Sequence, residues 1–497
     1  METIKNISFQ CGNQFDDDKL HEECGVFGIF NHDDAAAHTV LGLHALQHRG
    51  QEAAGIVSTD GNQFFVHRAE GHVGDNFNEQ AIVDSLKGTA AIGHVRYSTA
   101  GGGLIRNVQP LFAEYNFGGL AIAHNGNITN ATTLRHELVN KGSIFQSTMD
   151  SEVFVHLIAN SEQDCLLSRL IGALKDICGA YSLVLLTDST MIGARDPLGI
   201  RPLVLGELDD SYILASETCA FDIIGAKFIR DVEPGEMIII DKNGLKTFRF
   251  APVAKQKFCI FEYIYFARPD SIVDGQHVYN VRKKIGRELA RENKIEADIV
   301  VPIPDSGVPS AIGFSEESSL PFELGIIRNH YVGRTFIEPT DSVRNLGVKL
   351  KHNANKAVLH NKRVILIDDS IVRGTTSKKI VAMVRASGAK EVHMCIASPP
   401  TTNPCYYGVD TPEKDKLLAS KMSIAEMQKM INVDSLSFIS IEGLYRATGE
   451  NKRDNSCPQF CDACFTGDYP VDLVDKEYGA LPLFDKLVES NKRSLVK

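Results

Sequence analysis

The stretch VILIDDSIVRGTTS, residues 364–377, decides the fold of the second half of the chain. Four apolar residues typical of a buried strand end in two carboxylates, Asp368 and Asp369, and a short loop containing Gly374 leads into a helical pattern. In an open parallel sheet, ligands bind beyond the carboxyl ends of the strands. Backbone N–H groups at the start of the next helix, together with threonine hydroxyls, suit a phosphate group. The stretch therefore predicts a phosphate-binding strand, loop and helix, with the two aspartates available to ribose hydroxyls or Mg²⁺.

The sequence on both sides of this stretch alternates between helical and strand-like patterns. In chain order these segments are a helix at 282–294, a strand at 297–304, a helix at 311–318, a strand at 323–328, a helix at 376–388 and a strand at 391–397. Such alternation favours a parallel α/β sheet.

Residues 24 to about 245 follow a different pattern, with short apolar runs broken by Gly, Asn and Asp and helical patterns at 39–54 and 150–161. This favours an α+β fold with much antiparallel sheet. A chain of 497 residues is expected to form more than one hydrophobic core. We place one domain at 24–250 and a second at 251–480, preceded by residues 1–23 and followed by a tail at 481–497.

Composition limits the possible partners and the compartment. The net charge of −11 predicts no nucleic-acid partner, and no apolar run is long enough for a membrane span. Residues 1–23 lack the apolar centre of a signal peptide, and eleven cysteines are too few for a disulfide scaffold in a chain of this length. We therefore expect a cytoplasmic protein whose cysteines serve as packing residues, nucleophiles or metal ligands.

The first half contains four motifs that resemble those of class II glutamine amidotransferases, the N-terminal-nucleophile family. They are CGVFGIF at 24–30, LQHRGQEAAGI at 46–56, GHVRYST at 93–99 and HNGNI at 124–128. The resemblance implies that Cys24 is the nucleophile and that Asn125 and the backbone N–H of Gly126 form an oxyanion hole. It also implies that Arg96 pairs with the α-carboxylate of glutamine and that Asp150 receives its α-ammonium group.

Each of these residues also has an ordinary structural explanation. A strand cysteine is usually a packing residue, Arg96 could form a surface ion pair, Asp150 could cap a helix, and Asn-Gly often forms a hairpin turn. The set of matches favours the glutaminase.

A cysteine nucleophile of this kind implies that the chain is trimmed. A thiol must lose its proton before it attacks, and a free α-amino group, which titrates near ~8, can act as the base. Cys24 carries such a group only if it is the first residue. We therefore predict that residues 1–23 are a propeptide.

The stretch at 364–377 resembles the ribose-phosphate site of type I phosphoribosyltransferases, which implies binding of phosphoribosyl pyrophosphate (PRPP). VPIPDSGVP at 301–309 resembles the loop that grips pyrophosphate, although PDSG alone is merely a good turn, and RNHYVGRTFI at 328–337 resembles a mobile loop that closes over PRPP. The implied PRPP site consists of Asp305, Ser306, Arg334, Asp368, Asp369, Arg373, Gly374, Thr375, Thr376 and Ser377. The implied Mg²⁺ ligands are Ser306, Asp368 and Asp369.

The two halves in this order resemble amidophosphoribosyltransferases. The resemblance implies an N-terminal-nucleophile glutaminase sandwich of the α+β class, followed by an α/β type I phosphoribosyltransferase domain with a parallel sheet. Such an enzyme transfers ammonia from glutamine through an internal channel to C1 of PRPP, giving 5-phosphoribosylamine, glutamate and pyrophosphate in the first committed step of purine synthesis. A homotetramer and feedback inhibition by purine nucleotides are also implied. The alternatives are a glutaminase with another acceptor, as in glucosamine-6-phosphate synthase, and a PRPP-sensing regulator.

The remaining cysteines suggest a metal group. A C-x₂-C pair alone is compatible with zinc, redox chemistry or neither. Some members of the family carry a [4Fe–4S] cluster, and the resemblance places its ligands at Cys259, Cys405, Cys461 and Cys464. Cys457 could compete with Cys461 as a ligand.

Overall fold

The computed structural model describes residues 21–22, 24–97, 105–329 and 352–475. The first half of the chain forms two antiparallel sheets. In spatial order, the seven-stranded sheet consists of Lys227–Asp231, Val204–Leu208, Ser211–Ala215, Cys24–Phe30, Ala90–Arg96, Ala53–Thr59 and Phe64–Glu70. The six-stranded sheet consists of Gly244–Arg249, Glu236–Asp241, Thr190–Arg195, Gly179–Thr187, Gly118–Ile128 and Leu111–Tyr115.

The two sheets pack face to face through small and branched side chains, among them Val26, Ile92 and Val184, which are fully buried. Helices cover both outer faces. Ala35–Ala45 and Cys219–Ile224 cover the seven-stranded sheet, and Ala131–Asn140, Glu152–Ala159 and Leu166–Asp176 cover the six-stranded sheet. Because the central strands are buried on both faces, their sequences are continuous apolar runs rather than alternating ones. The expectation of much antiparallel sheet is confirmed.

The helix expected at 39–54 extends too far. The observed helix ends at Ala45, and Ala53–Thr59 is a strand beside Ala90–Arg96. The turn between them approaches this neighbouring strand closely, since a Cβ on Gly50 would lie 2.4 Å from the backbone nitrogen of Arg96. A longer helix would leave one edge of Ala90–Arg96 without its partner strand. The expected helix at 150–161 is observed as Glu152–Ala159.

The second half contains a four-stranded parallel sheet in the order Ile299–Pro302, Arg363–Asp368, Glu391–Ile396 and Ser435–Phe438. Its principal helices are Val278–Glu292, Val308–Ser318, Thr375–Ala386, Ile424–Ile431 and Ile441–Thr448. The predicted parallel α/β sheet is therefore confirmed. All four strands end at the same edge, which brings the loops after Pro302 and Asp368 together.

The strand expected at 323–328 is shorter and does not join this sheet as a strand. Only Ile326–Arg328 is extended, and it pairs antiparallel with His352–Ala354. Ile327 and Arg328 are exposed, which does not suit a buried parallel strand. Within the described part of the chain, the parallel sheet continues at this edge as a single bridge between Val300 and Phe322.

Short strand pairs also form outside these sheets. His21–Glu22 pairs antiparallel with Val409–Asp410 and so links the start of the chain to the second half, while Phe258–Cys259 pairs in parallel with Phe460–Cys461 within the second half. The shorter elements are Val73–Asn76, Gln80–Ser85, Ile105–Asn107, Glu262–Phe266, Ile272–Val273, Gln276–His277, Lys356–Leu359, Lys414–Lys416, Leu418–Lys421 and Ala463–Thr466. Among the described helices, none has both the length and the apolarity needed to cross a bilayer.

The domain limits proposed at residues 23, 250 and 480 stay predictions. Residues 1–20 and 23 of the predicted propeptide, and the whole tail at 481–497, lie outside the described residues.

Candidate functional site

Cys24 and Arg96 occupy facing positions on neighbouring strands. Cys24 is the first residue of Cys24–Phe30 and is paired with Arg96, the last residue of Ala90–Arg96. Both residues are buried, and the Arg96 guanidinium donates to the carbonyl oxygen of Asn107 at 3.2 Å. The structure therefore brings these two predicted residues together at one end of the seven-stranded sheet, and it excludes a surface ion pair as the explanation for Arg96.

Asn125 and Gly126 lie within the strand Gly118–Ile128, opposite Ser182 and Tyr181, so they do not form a hairpin turn. The Asn125 side chain is fully buried, and neither of its amide atoms has a hydrogen-bond partner in the part of the chain that the structure describes. An unsatisfied buried polar group costs about 1–3 kcal/mol. An amide retained at this cost is a candidate for binding a ligand atom.

Only glycine fits at position 126. Its φ angle is +141°, and a Cβ there would lie 2.0 Å from the carbonyl oxygen of Ala180. The backbone N–H of Gly126 can therefore adopt an orientation that other residues would not allow.

Asp150 is tied to the same strand. One of its carboxylate oxygens accepts a hydrogen bond from the backbone N–H of Ile128 at 3.0 Å, and the other accepts from the backbone N–H of Ser151 at 2.8 Å. Its side chain is 16% exposed, so the carboxylate remains accessible to a small ligand. Asp150 therefore lies near the end of the strand that carries Asn125.

Two buried histidines, which the sequence reasoning did not single out, connect the two sheets at this site. The Nε2 of His94 donates to the carbonyl oxygen of His124 at 3.0 Å, and the Nδ1 of His124 lies 2.9 Å from the Ser151 hydroxyl. Burial lowers the pKa of His94 to about 3 and also lowers the pKa of His124. Both rings are therefore neutral near pH 7 and act as structural hydrogen-bonding groups between the strands of Arg96 and Asn125.

The second cluster lies at the carboxyl edge of the parallel sheet. Asp368 and Asp369, at the end of Arg363–Asp368, are buried, and the Ser306 hydroxyl donates to the Asp369 carboxylate at 2.5 Å. Ser370 donates to the other oxygen of Asp369 at 2.6 Å. The structure therefore brings Ser306 into contact with Asp369, and Asp368 directly precedes Asp369 at the end of the strand. The hydroxyl and carboxylate oxygens of these three predicted ligands are the donors that Mg²⁺ prefers.

The loop after each strand is shaped by a glycine. A Cβ on Gly307 would lie 2.3 Å from the carbonyl oxygen of Ile367, so the PDSG loop packs directly on the strand that leads to Asp368. Gly374 has a φ of +77° and is the N-cap residue of the helix Thr375–Ala386. Thr375 is exposed, Arg373 and Thr376 are half-buried, and Ser377 is buried.

Asp305, another residue of the implied PRPP site, lies at the rim of this cluster. Asp305 forms an ion pair with Arg328, and both side chains are about half exposed. Arg334 lies outside the described residues. Sequence reasoning missed Arg282, a buried arginine on the apolar face of Val278–Glu292. Burial lowers its pKa to about 10, and the negative charge of Asp369 opposes this shift.

The four predicted cluster cysteines line one small cavity, together with Phe261, Phe266, Tyr407, Val409, Thr411 and Ala463. Cys457 is not among the lining residues, and its sulfur lies 3.5 Å from the Lys257 ammonium. Burial raises the pKa of Cys461 and Cys464, and the thiols of Cys259 and Cys405 raise it further. The four sulfurs are therefore close enough to interact electrostatically.

These sulfurs do not have the geometry of a single-ion site. A zinc ion would need its sulfurs at about 2.3 Å from one point. Over the described ranges, no three His, Cys, Asp or Glu side chains converge on one ion in this way. Four cysteines that line one cavity are the number of thiolates that an iron–sulfur cluster requires.

A buried ion network joins the two halves and was also missed. The Arg49 guanidinium, in the LQHRG motif, pairs with Glu217 and with Glu262 at 2.7 Å, and Arg201 lies 3.6 Å from Glu262. All four side chains are fully buried. Burial alone would raise the pKa of Glu217, but Arg49 and His48 hold it below its usual range.

Removing Glu262 should destabilise the protein strongly. The substitution Glu262→Ala leaves Arg49 and Arg201 with less compensation for their buried charge, and we expect the free energy of unfolding to fall by about 3–5 kcal/mol. Glu316→Ala is the control, because Glu316 forms exposed ion pairs with Lys283 and Arg287 and should cost about 0–1 kcal/mol. Urea denaturation of both variants measures the difference, and equal losses would contradict this role of the network.

The chain is similar to proteins of known family over nearly its whole length. A family model described as a glutamine amidotransferase domain matches residues 94–222. The amidophosphoribosyltransferase of Rhizobium etli is 57% identical over 475 residues, which are 94% of this chain and 96% of that protein. Two of the solved structures that match cover nearly the whole chain.

The first of these is described as the allosteric regulatory enzyme of purine biosynthesis, with a TM-score of 0.88 and 49% identity over 93% of this chain and 98% of that one. The second is the glutamine PRPP amidotransferase of Bacillus subtilis complexed with ADP and GMP, with a TM-score of 0.86 and 48% identity over 90% of this chain and 98% of that one.

Proposed function

The chain belongs to the amidophosphoribosyltransferase family, and from this premise we propose that it releases ammonia from glutamine at Cys24 and transfers it to C1 of PRPP beside Asp368. The membership confirms the enzyme class and the expected fold, an N-terminal-nucleophile glutaminase sandwich followed by a type I phosphoribosyltransferase domain. It also excludes a glucosamine-6-phosphate synthase and a PRPP-sensing regulator. The enzyme acts at the first step of purine synthesis.

The glutaminase proposal rests on the buried, unpartnered amide of Asn125. The α-amine of a trimmed Cys24 accepts the thiol proton, and the thiolate attacks the side-chain amide carbon of glutamine. Asn125 and the N–H of Gly126 hold the negative oxygen that forms, ammonia leaves, and water hydrolyses the thioester to glutamate. Arg96 and Asp150 hold the α-carboxylate and α-ammonium groups, which orients the substrate.

The transferase proposal rests on the contact between Ser306 and Asp369, next to the buried Asp368 at the carboxyl end of its strand. Mg²⁺ is usually held by one or two carboxylates together with substrate phosphates, which matches two aspartates and a pyrophosphate. When bound, the ion would neutralise the departing pyrophosphate. The N–H groups at the start of Thr375–Ala386 would hold the 5-phosphate, while ammonia forms a bond to C1 as the C1–O bond to pyrophosphate breaks.

Turnover with both substrates tests this function. We expect pyrophosphate release that depends on glutamine, PRPP and Mg²⁺, with glutamate and phosphoribosylamine formed in equal amounts. Added ammonia should replace glutamine. Pyrophosphate release without either nitrogen source, or glutamate release that never yields phosphoribosylamine, would contradict the proposal.

We extend the proposal to a [4Fe–4S] cluster held by Cys259, Cys405, Cys461 and Cys464, whose four thiolates suit such a group and line one cavity. Protein purified without oxygen should contain about four iron and four sulfide per chain. Cys405→Ser should remove most of this iron, whereas Cys457→Ser, outside the cavity, should retain it. Elemental analysis and visible absorption measure both variants. Zinc without iron, or equal iron loss in the two variants, would exclude this ligand set.

Purine nucleotides are proposed as feedback inhibitors, because the Bacillus subtilis relative is described in complex with ADP and GMP. The homotetramer and the cytoplasmic location stay predictions.

A further inference from the structure

The oxyanion strand of the first half is in direct backbone contact with the second half. A Cβ placed on Gly408 would lie 2.8 Å from the Cα of Gly126 and 2.9 Å from its carbonyl carbon. A Cβ placed on Gly126 itself would lie 2.0 Å from the carbonyl oxygen of Ala180 on the neighbouring strand. Gly126 is therefore confined between its neighbouring strand and Gly408.

The segment 406–408 is itself held in place by polar contacts. The carbonyl oxygen of Tyr406 accepts a hydrogen bond from the Asn127 side-chain amide at 2.9 Å. The carbonyl oxygen of Gly408 accepts from the buried Arg201 guanidinium at 3.0 Å. Arg201 in turn lies 3.6 Å from Glu262 in the buried ion network. The segment is therefore hydrogen-bonded to Asn127, the residue after Gly126, and to Arg201 of the buried ion network.

We propose that Gly408 is a positioning residue for glutamine hydrolysis, which holds the backbone N–H of Gly126 where the oxyanion forms. This inference rests on the proposed glutaminase function. Gly408 touches neither Cys24 nor the proposed substrate ligands Arg96 and Asp150 in any described contact, so it acts through Gly126. Because the oxyanion exists only in the transition state and intermediate, displacement of its donor lowers kcat and leaves KM for glutamine nearly unchanged.

The test compares two glycines with the same backbone conformation. Gly408 has a φ of +98°, and Gly449, at the end of Ile441–Thr448, has a φ of +100°. A Cβ at Gly449 would meet no atom of the described residues within 4 Å. Gly408→Ala and Gly449→Ala therefore carry a similar backbone strain, but only in Gly408→Ala would the new Cβ clash with the backbone of Gly126.

For Gly408→Ala we expect kcat for glutamine hydrolysis to fall about 100-fold, the effect of losing one oxyanion donor. Synthesis with added ammonia should continue, and iodoacetamide should alkylate Cys24 at the wild-type rate, because alkylation forms no oxyanion. Gly449→Ala should match the wild type in all three measurements. Asn127→Ala, which removes the donor to Tyr406 without adding volume, should give a smaller fall in kcat of the same kind.

The outcomes are distinguishable. If the wild type releases no glutamate, the proposed function fails. If the wild type is active and Gly408→Ala has an unchanged kcat, or a raised KM with unchanged kcat, only the inference is overturned. If Gly408→Ala does not fold, the Asn127→Ala variant decides, and an unchanged kcat there overturns the inference.

Discussion

Replacing Cys24 by alanine should lower glutamine-dependent phosphoribosylamine synthesis by a factor of about 10⁴ or more, since the variant has no nucleophile. Synthesis from PRPP and added ammonia should persist, because the second site, at the edge of the parallel sheet, is unchanged. Cys24 is a buried strand residue, so small side chains are tolerated there without a change of fold. Steady-state assays with each nitrogen source measure the two routes.

Cys178→Ala is the control for this experiment. Cys178 is a half-buried cysteine of the same half that precedes the strand Gly179–Thr187, and its loss should affect neither route. Loss of both routes in folded Cys24→Ala would contradict the assignment of two separate sites, and retention of the glutamine route would exclude Cys24 as the nucleophile.

Asp368→Asn should lower both routes together, by a factor of about 10²–10³, as expected when one group that stabilises transition-state charge is removed. Asparagine keeps the shape of the side chain and the acceptor for the Asp369 N–H, but it lacks the charge for Mg²⁺. Both nitrogen sources meet PRPP at this place, so neither can bypass the loss. Initial rates of pyrophosphate release, with thermal unfolding measured in parallel, give the result.

The matched control is Asp298→Asn, at the opposite end of the same sheet. Asp298 accepts hydrogen bonds from the backbone and guanidinium of Arg363, far from the carboxyl edge of the strands. The Asp298→Asn variant should synthesise phosphoribosylamine from glutamine and from ammonia at rates near those of the wild type. Normal ammonia-dependent synthesis in Asp368→Asn would exclude its proposed role.

Local pattern was sufficient to predict the strand at 363–368 and the loop and helix that follow it, because the strand, the two aspartates and the helix are contiguous. The motifs around Cys24 and Asn125 likewise carry their chemistry within a few residues. The helix limit at Ala45 was missed because it depends on Gly50 approaching a strand that lies more than forty residues away in the sequence.

The residues that sequence reasoning missed act through long-range contacts. Arg49, Glu262 and Arg201 look like ordinary charged residues until folding buries them together. Gly408 has no local signal that distinguishes it from a turn glycine, and its contact with Gly126 joins the two halves of the chain. For Arg282 a weak signal existed, since a charged residue on the apolar face of a helix requires a buried partner.

The requirement for a free amine on Cys24 is the central claim, and it is tested most directly by intact-mass and N-terminal peptide analysis of enzyme that turns over glutamine. We predict that every active chain begins at Cys24. Full glutamine-dependent activity in a chain that still carries residues 1–23 would contradict the account.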